Sequence, residues 1–232
     1  ALPFVLRMEP VRRWARRGEM SAAKTSTMSS TAANHLHGLE YGSALAQLDV
    51  INVPKVHDIW IDGTGIVCGM VDDGYRWRPH EAMKNIRVLD EYDFINKDTL
   101  TENEGDDPYA QDSHGTLTFS TLAGFKEGVL IGPAFNASFY LAKTEVHNSE
   151  MPVEEDYWAQ GLEWLEAKGA AVVSSSLGYS TFDDSTGYRY ENGDFNGRTA
   201  VTSLAAARAA RLGVVVCTAM GNEGNTTGTL IA

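Results

Sequence analysis

The sequence has little cysteine: Cys68 and Cys217 are the only two in 232 residues, and each lies within an apolar run. Two cysteines so far apart provide neither the close-set pairs of a structural metal site nor a disulfide framework. We expect both to be buried free thiols that behave as small hydrophobic side chains.

Long apolar runs and an excess of cations are also lacking. No stretch of 18 apolar residues occurs, so this segment contains no candidate membrane-spanning helix. The net charge of −12 argues against a nucleic-acid-binding surface. The charge is uneven, because the first 24 residues hold six cations and two acids while the remaining chain carries −16. We interpret this break as a basic leader segment before an acidic body.

The start of the chain shows no signal-peptide pattern and no initiating methionine. The first residue is Ala1, so we expect the natural N-terminus to lie upstream. Residues 19–34 are rich in serine, threonine and alanine and have no hydrophobic periodicity, which indicates a linker.

Past this linker, predicted strands and helices alternate. Near-continuous runs of valine, isoleucine and alanine predict strands that are buried on both faces, with amphipathic helices between them. The predicted strands are 65–71, 137–142, 170–174 and 213–218, and the predicted helices are 116–122, 154–168 and 199–212. The fold class is therefore α/β, a doubly wound, mostly parallel sheet with helices on both faces. In such sheets the functional groups gather at the carboxyl ends of the strands.

An acid and a histidine occupy settings that are typical of a hydrolytic site. Asp72 follows the first of these strands, where a carboxylate can accept a histidine ring N–H and hold the ring in one tautomer. His114 precedes Gly115 and Thr116 at the start of a predicted helix. Taken alone, an Asp-x-Gly after a strand is more often a plain turn, and a single histidine is more often structural.

For the other polar residues of this kind we predict no direct catalytic role. Strand alternation predicts that Asp73 points away from Asp72. The other five histidines lack a comparable setting, and we expect them to be surface or packing residues; they are His35, His37, His57, His80 and His147.

A glycine-flanked asparagine follows the last predicted strand. The amide of Asn222, next to Gly221, suits a hydrogen-bond donor to an oxyanion, because glycine lets other backbone approach closely. The alternative is a simple glycine-rich turn.

Two acidic loops, 96–107 and 194–197, contain the carboxylates that calcium prefers. Neither has the ligand spacing of an EF-hand. We favour solvated loops and keep a structural calcium ion as the alternative.

Together and in this order, these motifs closely resemble the subtilisin-like serine peptidases. The resemblance runs from about residue 41 to residue 232 and rests on five motifs, each weak alone and strong jointly. They are Asp72-Asp73-Gly74, His114-Gly115-Thr116, the segment 131–137, Ser176-Leu177-Gly178 and the segment 219–224.

The resemblance implies a serine endopeptidase that acts on polypeptides and requires no cofactor for its chemistry. Asp72 would orient His114, His114 would serve as general base and then acid, and Asn222 would stabilise the oxyanion. Residues implied to bind substrate beside the specificity pocket are Ser176, Leu177, Gly178 and Gly221. Four glutamates near the implied non-primed subsites suggest tolerance for basic substrate residues; they are Glu145, Glu150, Glu154 and Glu155.

The motifs described above do not include the catalytic nucleophile. No serine in a nucleophile-like setting follows the motifs before Ala232, so we expect it beyond the segment and expect the fragment alone to be inactive. A catalytically inactive subtilase-like binding module, with that serine replaced, is the alternative. An unrelated nucleotide-binding α/β protein is disfavoured, because no strand is followed by a glycine-rich loop and a helix.

The front of the chain fits the same resemblance. Residues 1–12 resemble the last strand of an inhibitory propeptide, residues 13–38 its processing linker, and residues 39–232 a partial catalytic domain. The implied partners are polypeptide substrates and the chain's own propeptide as an intramolecular inhibitor. The implied location is secreted or at the cell surface.

Overall fold

The computed structural model describes residues 38–183, 187–222 and 231, all of which belong to one unit of the chain. The predicted propeptide strand, 1–12, and all but the last residue of the predicted linker, 13–38, lie outside the described residues. Within the described ranges, no helix combines the length and the apolar content needed to cross a bilayer.

A parallel sheet of five strands forms the centre of the fold. Its strands are β1 (Val67–Asp72), β2 (Arg87–Asp93), β5 (Ser138–Lys143), β6 (Val172–Ser175) and β7 (Val215–Thr218). They lie in the order β2-β5-β1-β6-β7, and every neighbouring pair is parallel. A small antiparallel hairpin joins β3 (Phe125–Lys126) and β4 (Leu130–Ile131).

Five α-helices are described. They are α1 (Leu45–Val50), α2 (Val53–His57), α3 (Ser113–Ala123), α4 (Val153–Ala167) and α5 (Val201–Arg211). Short 3₁₀ turns at Gly42–Ala44 and Glu81–Met83 complete the regular structure.

Side chains of the central strands alternate between two apolar layers. Met70 of β1 packs in one cluster with Phe119 of α3, whereas its neighbour Val71 packs in another with Trp158 and Leu165 of α4. A strand can feed two layers in this way because successive side chains point to opposite faces of the sheet. Helices therefore cover both faces, and the predicted doubly wound α/β fold is confirmed.

The sequence prediction missed β2, the hairpin of β3 and β4, α1 and α2. The strand β2 reads Arg-Val-Leu-Asp-Glu-Tyr-Asp and lies at an edge of the sheet, so polar residues interrupt the apolar run on which the prediction depends. The two helices have six and five residues, too short for a helical period to be evident.

One cysteine prediction was wrong. Cys68 is buried as expected, at 6% exposure, but Cys217 is exposed. Cys217 lies in β7, which is the last strand of the described sheet and has a neighbour on one side.

The parallel arrangement gathers the strand ends on one edge of the sheet. Asp72 of β1 lies beside Lys143 of β5, and Ser175 of β6 lies beside Thr218 of β7. Most of the residues singled out from the sequence follow these strand ends, as expected for an open α/β sheet.

Candidate active site

Asp72 and His114 meet at this edge of the sheet. The Oδ1 atom of Asp72 lies 2.6 Å from Nδ1 of His114. The carboxylate is fully buried, whereas 41% of the histidine side chain is exposed. Thr118, one turn further along α3, donates its hydroxyl to the second oxygen of Asp72 at 3.0 Å. The histidine therefore has one nitrogen fixed by a buried acid and an accessible ring.

Close packing of α3 against β1 makes this contact possible. A Cβ atom on Gly115 would lie 2.2 Å from the backbone oxygen of Gly74 and 2.9 Å from Cβ of Asp72. Glycine alone permits that approach, which explains why His114 is followed by this residue. The helix thus begins against the end of β1.

The hydrogen bond to Asp72 raises the pKa of His114 above its ordinary value, and partial burial opposes the effect. A hydrogen bond to a carboxylate stabilises the imidazolium more than the neutral ring. Because Nδ1 faces Asp72, a neutral ring carries its hydrogen on that atom and presents Nε2 as a proton acceptor.

The predicted orientation of Asp73 was wrong, because its side chain also reaches the first turn of α3. Its Oδ1 atom accepts the N–H of Gly115 at 2.7 Å, and its Oδ2 atom lies 3.3 Å from the nitrogen of His114. Strand alternation does not apply here, since β1 ends at Asp72. Burial, followed by the charge of Asp72, raises the pKa of Asp73 to about 6 although these N–H groups oppose it.

A second histidine joins the site. Nδ1 of His147 lies 3.0 Å from Oδ2 of Asp73, and 39% of its side chain is exposed. His147 follows the end of β5, the strand beside β1. No local motif marks it, so the sequence prediction left it as a surface or packing residue.

Asn222 and Gly221 follow β7 and are exposed. The backbone of Gly221 has a φ of 90°, in the left-handed region that favours glycine. The chain beyond β7 starts next to the chain beyond β6, because Ala219 donates its N–H to the oxygen of Ser175 at 3.0 Å. The segment that leads to Asn222 thus leaves the sheet at the same edge as Asp72, and residues 223–230 after Asn222 are outside the described residues.

A cavity of about 270 Å³ is lined by α5 and by the segments that follow β6 and β7. Leu177 and Met220 line it, together with Trp158, Tyr179 and α5 residues such as Ala206. Of the four residues expected to bind substrate, Leu177 lines this cavity, Ser176 and Gly178 flank it in sequence, and Gly221 follows Met220. Met220 is 68% exposed, so it stands at the rim.

The glutamates near this cavity point inward. Glu145, Glu154 and Glu155 are all buried. Tyr179 donates its hydroxyl to Oε2 of Glu145 at 2.7 Å, and burial, with the charge of Glu154, raises the pKa of Glu145 to about 9. Three of the four glutamates are thus buried, and the expected tolerance for basic substrate residues stays a prediction.

The acidic loop before α3 has an internal cation. Nζ of the fully buried Lys143 lies 2.7 Å from a carboxylate oxygen of Asp93 and 2.7 Å from one of Asp107. Oδ1 of Asp93 also accepts the N–H groups of Ile95 and Asn96. Lys143 is thus a counter-ion for Asp93 and Asp107, whereas Asp93, Asp98 and Glu104 lie close enough together to hold a metal ion. A structural calcium ion stays the alternative for this loop.

The second acidic loop satisfies its own polar groups. Oδ2 of Asp194 accepts the N–H of Glu191 at 2.9 Å, and the side chain of Asn196 bonds to Gly193 and Thr199. This pattern is that of a polar turn. A solvated loop stays the favoured interpretation here, with a calcium ion as the alternative.

The chain is similar in sequence and in fold to known proteins. The sequence model of the subtilase family matches residues 63–231. Subtilisin E of Bacillus subtilis strain 168 and subtilisin NAT of Bacillus subtilis subsp. natto are each 25% identical over 176 residues. Each match covers 75% of this chain and 39% of the relative, so the chain spans well under half the length of these relatives.

Three solved structures share the fold. The CspB protease of Clostridium perfringens matches with a TM-score of 0.56 at 22% identity, over 78% of this chain and 42% of its own. MycP1 with its N-terminal propeptide removed matches with 0.53 at 18%, over 76% and 49%. Fervidolysin of Fervidobacterium pennivorans, a keratinolytic enzyme related to subtilisin, matches with 0.52 at 23%, over 77% and 25%.

The family match covers well over half of the chain and includes both members of the buried acid–histidine pair. The structural matches agree with it in fold. The chain belongs to the subtilase family.

Proposed function

We propose that this chain is part of the catalytic domain of a serine endopeptidase that hydrolyses polypeptides. Its nucleophile would be a serine that follows Asn222 in the longer protein. The observation that carries the proposal is the buried carboxylate of Asp72 at 2.6 Å from Nδ1 of a partly exposed histidine.

In this mechanism His114 is the proton-transfer group. Asp72 holds its Nδ1–H, so Nε2 accepts the proton of the attacking serine and later delivers it to the leaving amine. The Asp72 carboxylate stabilises the imidazolium that forms between these steps, which accords with the raised pKa of His114.

Asn222 is the proposed donor to the oxyanion that develops when the serine attacks the peptide carbonyl. Its exposed position after β7 leaves the side-chain amide accessible to substrate. We assign substrate-backbone binding to Ser176, Leu177, Gly178 and Gly221. The cavity beside Leu177 and Met220 would receive the substrate side chain at the cleaved bond.

Two expectations from the sequence stay predictions. One is that residues 1–12 form part of an inhibitory propeptide, and the other is that the enzyme is secreted or at the cell surface. The chemistry as proposed uses side chains and backbone groups of the protein without a cofactor.

Peptide hydrolysis by the longer protein tests the proposal. Asp72→Asn should lower kcat by about 10⁴, because the amide stabilises the wrong histidine tautomer. Asn222→Ala should lower kcat by about 10²–10³, a range measured on subtilisin itself, with KM nearly unchanged. Unchanged turnover in Asn222→Ala would remove the oxyanion role. Peptide binding without hydrolysis by the unmodified protein would instead indicate the inactive binding module.

A further inference from the structure

A second acid–histidine pair, Asp73 and His147, lies directly beside the first. The carboxylate of Asp73 is 2% exposed, and its Oδ2 atom lies 3.0 Å from Nδ1 of His147. The proposed proton transfer uses neither residue. The pair therefore calls for a role of its own.

Asp73 holds the backbone of the proposed catalytic histidine. The first N–H groups of a helix have no partner within the helix and need an outside acceptor. In α3 the preceding residue, Asp112, provides no side-chain cap. Asp73 supplies this acceptor from another element, with 2.7 Å to the nitrogen of Gly115 and 3.3 Å to that of His114. The position of this carboxylate thus sets the position of the first turn of α3.

His147 is held opposite Asp73 by a third, fully buried side chain. Oε1 of Gln111 accepts the backbone N–H of His147 at 3.0 Å. Its Nε2 donates to the backbone oxygen of Asp73 at 2.7 Å and to that of Glu145. A single amide therefore joins the backbones of both members of the pair. The contact is built into the fold and is more than an encounter of two surface side chains.

The contact between His147 and Asp73 offsets part of an unfavourable charge interaction. Asp72 and Asp73 are adjacent and buried, so their negative charges repel. The N–H groups of α3 offset part of this cost, and His147 offers a further donor to Asp73. Without that donor, the ionised form of the Asp73 carboxylate is less stable, and its orientation towards α3 is less well fixed.

We propose that His147 is a positioning residue for the peptidase reaction: through Asp73 it fixes the first turn of α3 and so keeps His114 aligned with Asp72. This inference rests on the proposed function for its catalytic meaning. Its structural content, a route from His147 through Asp73 to His114, can be measured without turnover. Groups held by such supporting contacts keep the geometry that catalysis requires.

Two polar substitutions of His147 distinguish the effect of its hydrogen bond to Asp73 from the effect of side-chain volume. His147→Asn places an amide nitrogen near the position of Nδ1 and keeps a donor to Asp73. His147→Gln places it near Nε2 and loses that donor. Both suit a side chain that is 39% exposed, so folding is expected in each case. Lys168→Met, which removes an exposed ion pair with Asp90, serves as the control.

The first readout is NMR on the longer protein. His147→Gln should speed hydrogen exchange at the amides of His114 and Gly115 by about tenfold and weaken the downfield Nδ1–H signal of His114. His147→Asn and the control should leave both unchanged. Equal effects of Asn and Gln, or no effect of Gln, would overturn the proposal.

A double-mutant cycle provides the second readout. Asp73→Asn replaces the carboxylate oxygen that faces His147 by an amide nitrogen, so adding His147→Gln to it should cause no further change in exchange. Additive effects of the two substitutions would show that His147 acts elsewhere and would overturn the proposal.

Kinetic measurements on the longer protein test whether the contact between His147 and Asp73 contributes to catalysis. His147→Gln should lower kcat about tenfold at unchanged KM, and His147→Asn should restore most of it. A change in KM alone would contradict a positioning role. If the unmodified longer protein does not hydrolyse peptides, the proposed function fails, while the exchange measurements still decide the route from His147 to His114.

Discussion

At the scale of single residues, the structure distinguishes buried ion pairs that stabilise the fold from exposed ion pairs that contribute little to its stability. Lys143 and Lys168 each approach an aspartate oxygen to 2.7 Å. Lys143 is fully buried between Asp93 and Asp107, whereas 38% of the Lys168 side chain is exposed. A buried charge that loses its partner is left uncompensated, but an exposed one is screened by water.

The two lysines should therefore respond differently to the same substitution. Lys143→Met should lower the free energy of unfolding by about 3–5 kcal/mol, because two carboxylates lose their counter-ion. Lys168→Met should leave the urea midpoint nearly unchanged. Urea unfolding followed by circular dichroism measures both, and similar losses in the two variants would contradict a special role for Lys143.

The pairing also bears on calcium. If Lys143 is the counter-ion of the acidic loop, a chelator should not change the unfolding midpoint of the wild-type chain. In Lys143→Met the carboxylates of Asp93 and Asp107 lose this counter-ion, so added calcium should raise the unfolding midpoint of that variant. A midpoint of the wild-type chain that falls with a chelator would contradict this role of Lys143.

At the scale of elements, the site depends on how closely α3 approaches β1. A Cβ atom at position 115 would meet the backbone oxygen of Gly74, which cannot move without displacing the strand end. A Cβ atom at position 69 would lie 2.7 Å from Cδ1 of Leu165, the far end of a flexible side chain. Both approaches are close, but they differ in what must move.

Alanine substitution at these two glycines tests that difference. Helix propensity alone would favour Gly115→Ala by roughly 1 kcal/mol. We expect the opposite sign, with a lower melting temperature and a displaced Nδ1–H signal of His114, because the backbone contact outweighs propensity. Gly69→Ala should keep the His114 signal. A stabilised Gly115→Ala variant with an unchanged signal would refute the close approach.

The same elements show what a sequence can and cannot predict. The strands β1, β5 and β6 were predictable because burial on both faces leaves continuous apolar runs. Asp72 was predictable because it ends such a strand, and His114 because it stands at the start of a predicted helix. The direction of Asp73 was not, since it depends on the residue at which β1 ends. The contact of His147 depends on the placement of the chain after β5 beside β1, which no local pattern encodes.

At the scale of the whole molecule, the native state holds protons that the unfolded chain releases. Burial raises the pKa of Glu145 to about 9, of Glu150 to about 7 and of Asp73 to about 6. The hydrogen bond to Asp72 raises the pKa of His114. All four shifts are upward, so between the unfolded and folded pKa values the native state binds more protons. Stability therefore falls as the pH rises through this range.

We expect the free energy of unfolding to decrease from pH 5 to pH 9. Glu145→Gln should flatten that decrease above pH 7, because its amide can still accept the Tyr179 hydroxyl and carries no charge at any pH. Glu163→Gln, on the exposed face of α4, is the matched control and should leave the slope unchanged. A stability that rises towards pH 9 would contradict the inward, protonated glutamates.

Covalent labelling of the longer protein by a fluorophosphonate, which reacts with a serine activated by a neighbouring base, tests the proposed peptidase site most sharply. We expect stoichiometric labelling of one serine after Asn222, abolished in His114→Ala and unaffected in Lys168→Met. Absence of labelling in the folded wild-type protein would contradict the claim that Asp72 and His114 serve a serine peptidase.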